Sequence, residues 1–242
     1  MNLAEPVRVG GLVLALVCAA AAIFAGLGSR WNWWHFRTGF QILTWAAYGG
    51  LAAAFLSAGG IVAALASAWR RTLFPAFIGL AVGLAVAGIP WQQKLTAQRV
   101  PPIHDITTDT ENPPVFVAVL PLRKDAPNPA DYGGPGIAAQ QRAAYADLKP
   151  LLLNVSPEQA FGKALDAARN MGWEIVDVNP SEGRIEATDT TFWFGFKDDV
   201  VVRVAATDQG SRIDVRSVSR VGKSDVGANA RRIRAYTERL IG

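Results

Sequence analysis

The stretch RIEATDTTFWFGFKDDVVVRVAATDQGSRIDVRSVSR, residues 184–220, contains the pattern that decides the fold. Apolar and polar residues alternate through Arg184–Thr190, Asp199–Ala206 and Arg212–Arg220, which is typical of strands that bury one face. Turn-forming residues at Asp208–Gly210 separate the last two runs. Consecutive strands joined by short turns pair side by side, so the stretch predicts an antiparallel sheet.

The alternation assigns the side chains of these strands to two faces of the sheet. We expect helices to cover the apolar face and water to cover the charged face. The apolar set is Ile185, Ala187, Val200, Val202, Val204, Ile213 and Val215. The charged set is Arg184, Glu186, Arg203, Arg212, Asp214 and Arg216.

The flanking sequence supplies the other elements of the predicted domain. Lys149–Val155 and Trp173–Val178 are predicted strands, and Ser156–Gly172 has the capping residues of a helix between them. A last helix begins after Ser224 or Asp225. The order β-α-β-β-β-β-α predicts an α+β domain, with an antiparallel sheet and two helices on one face, similar to helix-grip domains of outer-membrane assembly lipoproteins.

Three uncharged runs near the N-terminus predict membrane spans. They cover Val9–Gly28, Thr38–Trp69 and Thr72–Gln93, and about 20 apolar residues are enough to cross the hydrocarbon core. A signal peptide is the alternative for the first run. The runs contain no ionisable Asp, Glu, Lys, Arg or His, which argues against a pump or an ion-coupled transporter. The sequence therefore predicts a membrane anchor.

Small and charged residues refine the predicted anchor. Only Arg70 and Arg71 separate the second run from the third, which predicts a tight helical hairpin. Gly79 and Gly83 form a small-xxx-small pair, which lets helices pack closely. The basic residues on the two sides of the membrane balance, so the positive-inside rule does not assign the orientation.

Composition divides the chain into three predicted regions. Residues 1–94 form the three-span transmembrane region, residues 95–148 a Pro-rich linker or wrapping arm, and residues 149–242 the α+β domain. Within the arm, Val115–Leu120 predicts an edge strand and Ile137–Leu148 a short helix. We expect the soluble part to fold without the anchor, because its sheet and two helices complete a two-layer core.

Charge and cysteine content limit the classes of function. The net charge is +4, but residues 100–242 contain 17 basic and 19 acidic residues, so a nucleic-acid-binding domain is not expected. Cys18 is the only cysteine, which excludes an intramolecular disulfide and a cysteine metal site. We expect no metal and no other cofactor.

The segment Arg216–Tyr236, RSVSRVGKSDVGANARRIRAY, contains a predicted strand-to-helix junction. Gly222 breaks the strand, and Ser224 and Asp225 are suited to cap the helix that follows. Asn229 lies near the buried seam of that helix, where its amide needs hydrogen-bond partners. We interpret these four residues as structural.

Three arginines and one tryptophan are the candidate binding residues. Arg216, Arg220 and Arg231 lie near a predicted helix N-terminus, an arrangement that suits an anion or an acidic partner. On an exposed strand face, replacing Arg216 or Arg220 would cost little stability. Trp193 belongs to the aromatic segment TTFWFGF, and exposed apolar patches often mark a contact.

An envelope hydrolase or transferase is the alternative function. Its acid–base candidates are His104 with the nearby carboxylates Asp105 and Asp109, and the pair Asp198 and Asp199. General acid–base catalysis needs a positioned partner and a tuned pKa, and the sequence shows no nucleophile motif beside His104. We therefore expect a protein that is not an enzyme.

The segments PPIHDITTDTENPPVF (residues 101–116) and GRIEATDTTFWFGFKDDVVVRV…GSRIDVRSVSRVGKSDVGANARRI (residues 183–233) resemble the Domain of Unknown Function (DUF) 1499 family. The resemblance covers about residues 100–240, outside the three spans. It implies a membrane-associated or exported domain of bacteria or plastids without an assigned activity. It also implies an N-terminus inside the cell and a periplasmic C-terminal domain.

Together these features predict a multi-pass protein of the bacterial inner membrane with a DUF1499-type periplasmic domain. We expect a non-enzymatic envelope binding or assembly module. Its expected partners are the lipid bilayer and an envelope protein or an anionic lipid headgroup, and not nucleic acid.

Overall fold

The computed structural model describes residues 4–66 and 73–241. The chain forms two compact units, which we call the helical unit and the sheet domain. The helical unit comprises residues 1–96 together with 192–195, and the sheet domain comprises residues 97–191 and 196–242. The predicted hairpin at Arg70 and Arg71 lies outside the described residues.

Three long helices make up most of the helical unit: α1 (Ala4–Arg30), α2 (Phe36–Leu65) and α3 (Leu73–Arg99). Each is long and apolar enough to cross a membrane. The prediction of three apolar N-terminal helices is confirmed.

Glycines allow these helices to approach one another. A Cβ atom on Gly83 of α3 would lie 2.6 Å from the carbonyl oxygen of Gly50 in α2. A Cβ atom on Gly79 would lie 2.5 Å from the hydroxyl of Ser57 in α2 and 3.0 Å from the Cα atom of Leu12 in α1. The Gly79–Gly83 pair therefore serves helix packing within this chain.

Among the described residues, the sheet domain contains six antiparallel strands and three complete α-helices. The strands are β1 (Asp105–Thr107), β2 (Leu151–Leu153), β3 (Glu174–Asn179), β4 (Arg184–Thr190), β5 (Lys197–Thr207) and β6 (Gly210–Ser219). The helices are α4 (Gly134–Ala144), α5 (Pro157–Asn170) and α6 (Ala228–Ile241). The strand order is β1-β6-β5-β4-β3, and β2 pairs with β6 beside β1. The predicted α+β class with an antiparallel sheet is confirmed.

Local sequence signals account for helix α5. The Ser156 hydroxyl accepts a hydrogen bond from the backbone N–H of Gln159 at 3.3 Å, and Pro157 occupies the first helical turn. Gly172 follows the helix with φ +75°, a left-handed conformation that favours glycine. These positions bring the apolar side of α5 onto the sheet.

The apolar face of the sheet and two helices form the main core. All seven residues predicted for this face are buried in one cluster with residues of α5 and α6. Ile213, Val215 and Ile233 are fully buried in it. The prediction that helices cover this face is confirmed.

The charged face is also covered, so the expectation of a solvated face is wrong. Phe116 and Val119 pack there against Val201 and Val218. Arg216 is only 2% exposed. The arm, residues 95–148, covers this face and supplies partners for its charges. Residues 97–148 of the predicted arm thus belong to the same compact unit as the sheet.

The secondary structure of the arm differs in part from the prediction. It contains β1, a single helical turn at Leu120–Arg123, and α4, which begins three residues before the predicted helix at Ile137. The edge strand predicted at Val115–Leu120 is wrong, because the backbone of this segment bonds to a side chain of the sheet instead of to a strand. The division at residues 94 and 148 stays a prediction.

Candidate functional site: an arginine network and an aromatic loop

Arg216 of β6 is the central cation of the covered face. Its guanidinium binds the carboxylate of Asp105 through two hydrogen bonds, of 2.9 Å from Nε and 2.8 Å from Nη2. It also donates to the carbonyls of Pro114 and Ala130 at 3.0 and 2.6 Å, and lies 5.1 Å from the ring centroid of Phe116. Through these contacts the buried guanidinium of Arg216 connects β6 to the arm and to the ring of Phe116.

Asp199 of β5 lies between two arginines from different parts of the chain. Arg123 approaches one carboxylate oxygen at 2.5 Å, and Arg220 binds both oxygens at 2.9 and 2.7 Å. The Thr188 hydroxyl donates a further bond at 2.7 Å. Burial alone would raise the pKa of Asp199, but the hydrogen bonds from Arg220, Thr188 and Arg123 outweigh it and lower that pKa. Asp199 is therefore held as an anion.

The backbone of the arm holds the buried carboxylate of Glu186. The N–H groups of Val117 and Ala118 donate to one oxygen of Glu186 at 2.9 and 3.1 Å, and the N–H of Val119 donates to the other at 2.9 Å. The Nε atom of Arg184 lies 3.0 Å from one carboxylate oxygen of Glu186. This arrangement explains why the segment is not a strand, because its backbone donors are used by the carboxylate.

The carboxylate of Asp109, within the arm, connects the arm to the hairpin of β5 and β6. Asp109 accepts hydrogen bonds from Arg203 at 3.2 Å and from Arg212 at 2.6 Å. Both arginines also contact Asp214 of β6, at 2.8 and 3.1 Å. The four side chains form a partly exposed ion-pair network at the edge of the arm.

Helix α6 contributes a buried network that the sequence analysis did not identify. Arg232 bonds to Asp189 at 2.7 Å, to Asp198 at 2.6 Å and to the side-chain oxygen of Asn229 at 2.5 Å. The spacing of Asn229 and Arg232 was the available signal, because residues i and i+3 share one side of a helix. The acidic partners come from β4 and β5.

The predicted junction residues meet at the start of α6. Asp225 accepts hydrogen bonds from the backbone N–H groups of Gly227 and Asn229, both at 2.7 Å, and Ser224 caps the preceding turn. Gly222 adopts φ +97°. Burial raises the pKa of Asp225, and the two backbone bonds offset only part of that effect. The helix N-terminus is thus bonded to a carboxylate of its own chain.

The Asn229 amide lies in the interior of this junction. It donates to the carbonyl of His104 at 2.9 Å and to the Ser219 hydroxyl at 3.0 Å, and it accepts from the Ser217 hydroxyl at 2.7 Å. Asn229 is fully buried. The amide links α6 to β6 and to the chain just before β1.

The three predicted anion-site arginines have different surroundings. Arg216 is buried against Asp105, and Arg220 is partly buried against Asp199. Arg231 is exposed and donates to the Val226 carbonyl at 3.0 Å. The first two guanidiniums therefore already bind carboxylates of this chain. The anion-binding role of the three residues stays a prediction.

The acid–base candidates of the alternative function do not converge on His104. Its Nδ1 atom lies 3.4 Å from the carbonyl of Lys223. The four carboxylates proposed with it are each paired with at least one arginine: Asp105, Asp109, Asp198 and Asp199. Within the described ranges, no group of three His, Cys, Asp or Glu side chains is placed to hold a metal ion.

The aromatic loop, Phe192–Gly195, follows β4 in sequence but belongs to the helical unit. The indole N–H of Trp193 donates to the carbonyl of Ile23 in α1 at 3.0 Å. The ring of Phe194 lies 4.9 Å from that of Phe40 in α2. The candidate binding residue Trp193 thus contacts the apolar helices.

Exposure within the aromatic loop is uneven. Phe192 is 83% exposed, whereas Phe194 is 7% exposed. Arg30 at the end of α1 donates to the carbonyl of Phe192 at 2.9 Å, and Trp33 in the adjoining loop is also exposed. Amphipathic aromatic rings beside arginine are typical of the membrane–water interface.

Comparison with known protein families matches residues 105–240 to the family described as "Protein of unknown function (DUF1499)". The match spans β1 through most of α6 and so covers more than half of the chain. Comparisons with curated proteins and with solved structures found no match. The paired residues of the covered charged face, from Asp105 to Arg220, all lie within the matched range. The chain therefore belongs to the DUF1499 family, and its three apolar helices precede the family domain in sequence.

Proposed function

We propose that this protein is a non-enzymatic binding or assembly module of the bacterial cell envelope. Helices α1–α3 anchor it in the inner membrane, and the sheet domain lies in the periplasm. Its partner is an envelope protein or an anionic lipid headgroup.

The observation that carries the proposal is the pairing of the buried carboxylates. Asp105 and Asp199 each accept two bonds from an arginine, and Glu186 accepts three from the arm. A general base must be able to take up a proton, and the lowered pKa of Asp199 opposes this. Burial raises the pKa of Asp105 despite its bonds to Arg216, but both of its oxygens are occupied by that guanidinium. The charges instead fix the arm to the sheet, which favours a rigid binding scaffold.

The periplasmic location is what the sequence resemblance implies, and the lack of cysteine in residues 97–242 suits an oxidising compartment. It is tested by fusing alkaline phosphatase or a cytoplasmic fluorescent reporter to the C-terminus of the full chain. We expect activity of the phosphatase fusion. Activity of the cytoplasmic reporter alone would overturn this location.

Partner binding is tested by photo-crosslinking in living cells from position 231, where Arg231 is exposed on α6. Position 163 is the matched control, because Lys163 is an exposed cation on α5. We expect an acidic envelope protein or an anionic lipid to be captured at 231 and not at 163. Equal capture at both positions would contradict a specific site on α6.

A catalytic function has its own test. Replacing His104 with Ala should leave crosslinking and any cellular phenotype of the full chain unchanged. If purified protein hydrolyses envelope lipids or glycans and the His104→Ala variant does not, the non-enzymatic assignment is wrong.

A further inference from the structure

An apolar groove lies in the helical unit, among α1, α2, α3 and the aromatic loop. Its volume is about 250 Å³, and its lining presents no polar surface. Small-molecule pockets are typically ~300–1,000 Å³, so the groove fits a segment of one chain of a larger apolar molecule. Trp193 is part of its wall.

The position of Trp193 in this wall is fixed by two contacts. Its indole N–H is bonded to the Ile23 carbonyl at 3.0 Å, which leaves the ring as an apolar surface. A Cβ atom on Gly26 would lie 2.2 Å from the indole, so only glycine permits this approach. The aromatic loop thus contributes a side chain of fixed position to the wall of the groove.

The groove opens on the outer surface of helices that are long and apolar enough to span a membrane. Ile23 and Ile89 line it and are 54% and 55% exposed. The groove is therefore continuous with the surface that the helices present to the hydrocarbon core. The molecules at that depth are the acyl chains of lipids.

Charge at the neighbouring helix ends complements a lipid headgroup. Arg30 ends α1, Arg37 lies in the first turn of α2, and Lys94 lies about one turn beyond groove residue Pro90 in α3. The sequence from residue 6 to residue 104 contains no acidic residue. Cations at the membrane surface attract anionic lipid headgroups.

We propose that the groove binds one acyl chain of an anionic glycerophospholipid, with the headgroup beside the cations at the helix ends. The aromatic loop makes this a shaped site, distinct from the general lipid contact of a transmembrane helix. The site lies in the helical unit, so it goes beyond the partner binding proposed for the sheet domain; it rests on the proposed membrane anchoring of α1–α3 and not on the identity of that partner.

The test uses the full chain in lipid nanodiscs that contain phosphatidylglycerol with a photoactivatable group on the acyl chain. Ala22→Phe fills the groove from α1, and Ala20→Phe places the same ring on an exposed position of α1 outside the groove. Excluding a few methylene groups should lower labelling of groove peptides by about tenfold. Ala20→Phe should leave it unchanged.

A second pair of variants guards against misfolding of Ala22→Phe. Ala85→Phe fills the groove from α3, and Ala81→Phe is its exposed control on the same helix. Each variant is first checked for monodispersity and helical content. Equal labelling in the filled and control variants would overturn the acyl-chain site.

The headgroup is tested by replacing the phosphatidylglycerol probe with the same chain on phosphatidylcholine. We expect stronger labelling of the groove by the anionic lipid, and loss of this preference in Arg37→Gln with Lys94→Gln. Equal labelling by both lipids in the native chain would overturn the anionic headgroup. Labelling spread evenly around all three helices would overturn the site as a whole.

Discussion

The two faces of the sheet are buried by different means, and β6 shows both within four residues. Ile213 is fully buried against α5 and α6, and Arg216 is 2% exposed beneath the arm. The apolar face needs only side chains of suitable size, because the hydrophobic effect is not directional. The charged face needs a specific partner for each charge, because an unpaired buried charge is very costly. The second face should therefore be less tolerant of single changes.

The largest effect is expected for Arg216→Ala. This change leaves Asp105 buried without its two hydrogen bonds, and removal of one partner of a buried ion pair costs about 3–5 kcal/mol. The sequence alone suggested a small cost, because it placed Arg216 on a solvated face. Hydrogen exchange of β5 and β6 amides in the full chain, followed by mass spectrometry, measures the free energy of unfolding.

A double variant separates the charge from the space it fills. Arg216→Met combined with Asp105→Leu removes both charges and keeps apolar volume, so it should be more stable than Arg216→Ala. If Arg216→Ala exchanges at the native rate, the covered face contributes no more than an ordinary surface. The contrast between the two faces would then be lost.

On the apolar face, Ile213→Ala is the matching change on the same strand. Its cost is the lost burial plus a cavity, about 2–5 kcal/mol. Ile213→Val should cost much less, about 0.5–1.5 kcal/mol, because most of the volume is kept. This graded response contrasts with the covered face, where a side chain of similar size without the charge does not replace arginine. An equal loss of stability in Ile213→Ala and Ile213→Val would contradict the graded response.

The same contrast explains how much the sequence could predict. Alternation and helix caps were sufficient for β2–β6, α5 and the apolar core, because these depend on neighbouring residues, whereas β1 in the arm was not predicted. The partners of Arg216 and Asp199 were not predictable in this way, because Asp105 lies 111 residues before Arg216 and Arg123 lies 76 before Asp199. The alternating charged residues of a strand form the same sequence pattern whether water or a segment distant in sequence covers them.

The candidate site follows the same rule. Gly222, Ser224, Asp225 and Asn229 were identified from local turn and helix patterns, and they meet at the start of α6. Trp193 was identified as part of an aromatic patch, but its hydrogen-bond partner Ile23 lies 170 residues earlier in the sequence. Local spacing therefore selected residues that lie close together at the start of α6, and their structural role stays a prediction; it gave no indication of where the aromatic loop packs.

A smaller effect is expected at the junction, where both kinds of burial meet. Asn229→Ala removes the amide that bonds to His104, Ser217 and Ser219. Loss of a buried hydrogen-bond partner costs about 1–3 kcal/mol. The loss should appear in faster exchange of α6 and β6 amides. Asn229→Asp is a useful control, because it keeps the shape and the oxygen acceptor but loses the two donors.

The smallest effect is expected for an ion pair of the arm that remains in water. Arg142 of α4 contacts Glu111 at 2.7 Å, but the two side chains are 53% and 85% exposed. Such pairs contribute about 0–1 kcal/mol, and salt screens them over a Debye length of about 10 Å at 0.1 M. Arg142→Ala should therefore change stability slightly at low salt and less at high salt. Arg216→Ala should cost nearly the same at both, since screening of a buried pair is much weaker. Hydrogen exchange of both variants at low and high salt makes the comparison. Equal salt dependence would mean that water reaches Arg216 as freely as Arg142, and the two faces of the sheet would then differ in composition but not in burial.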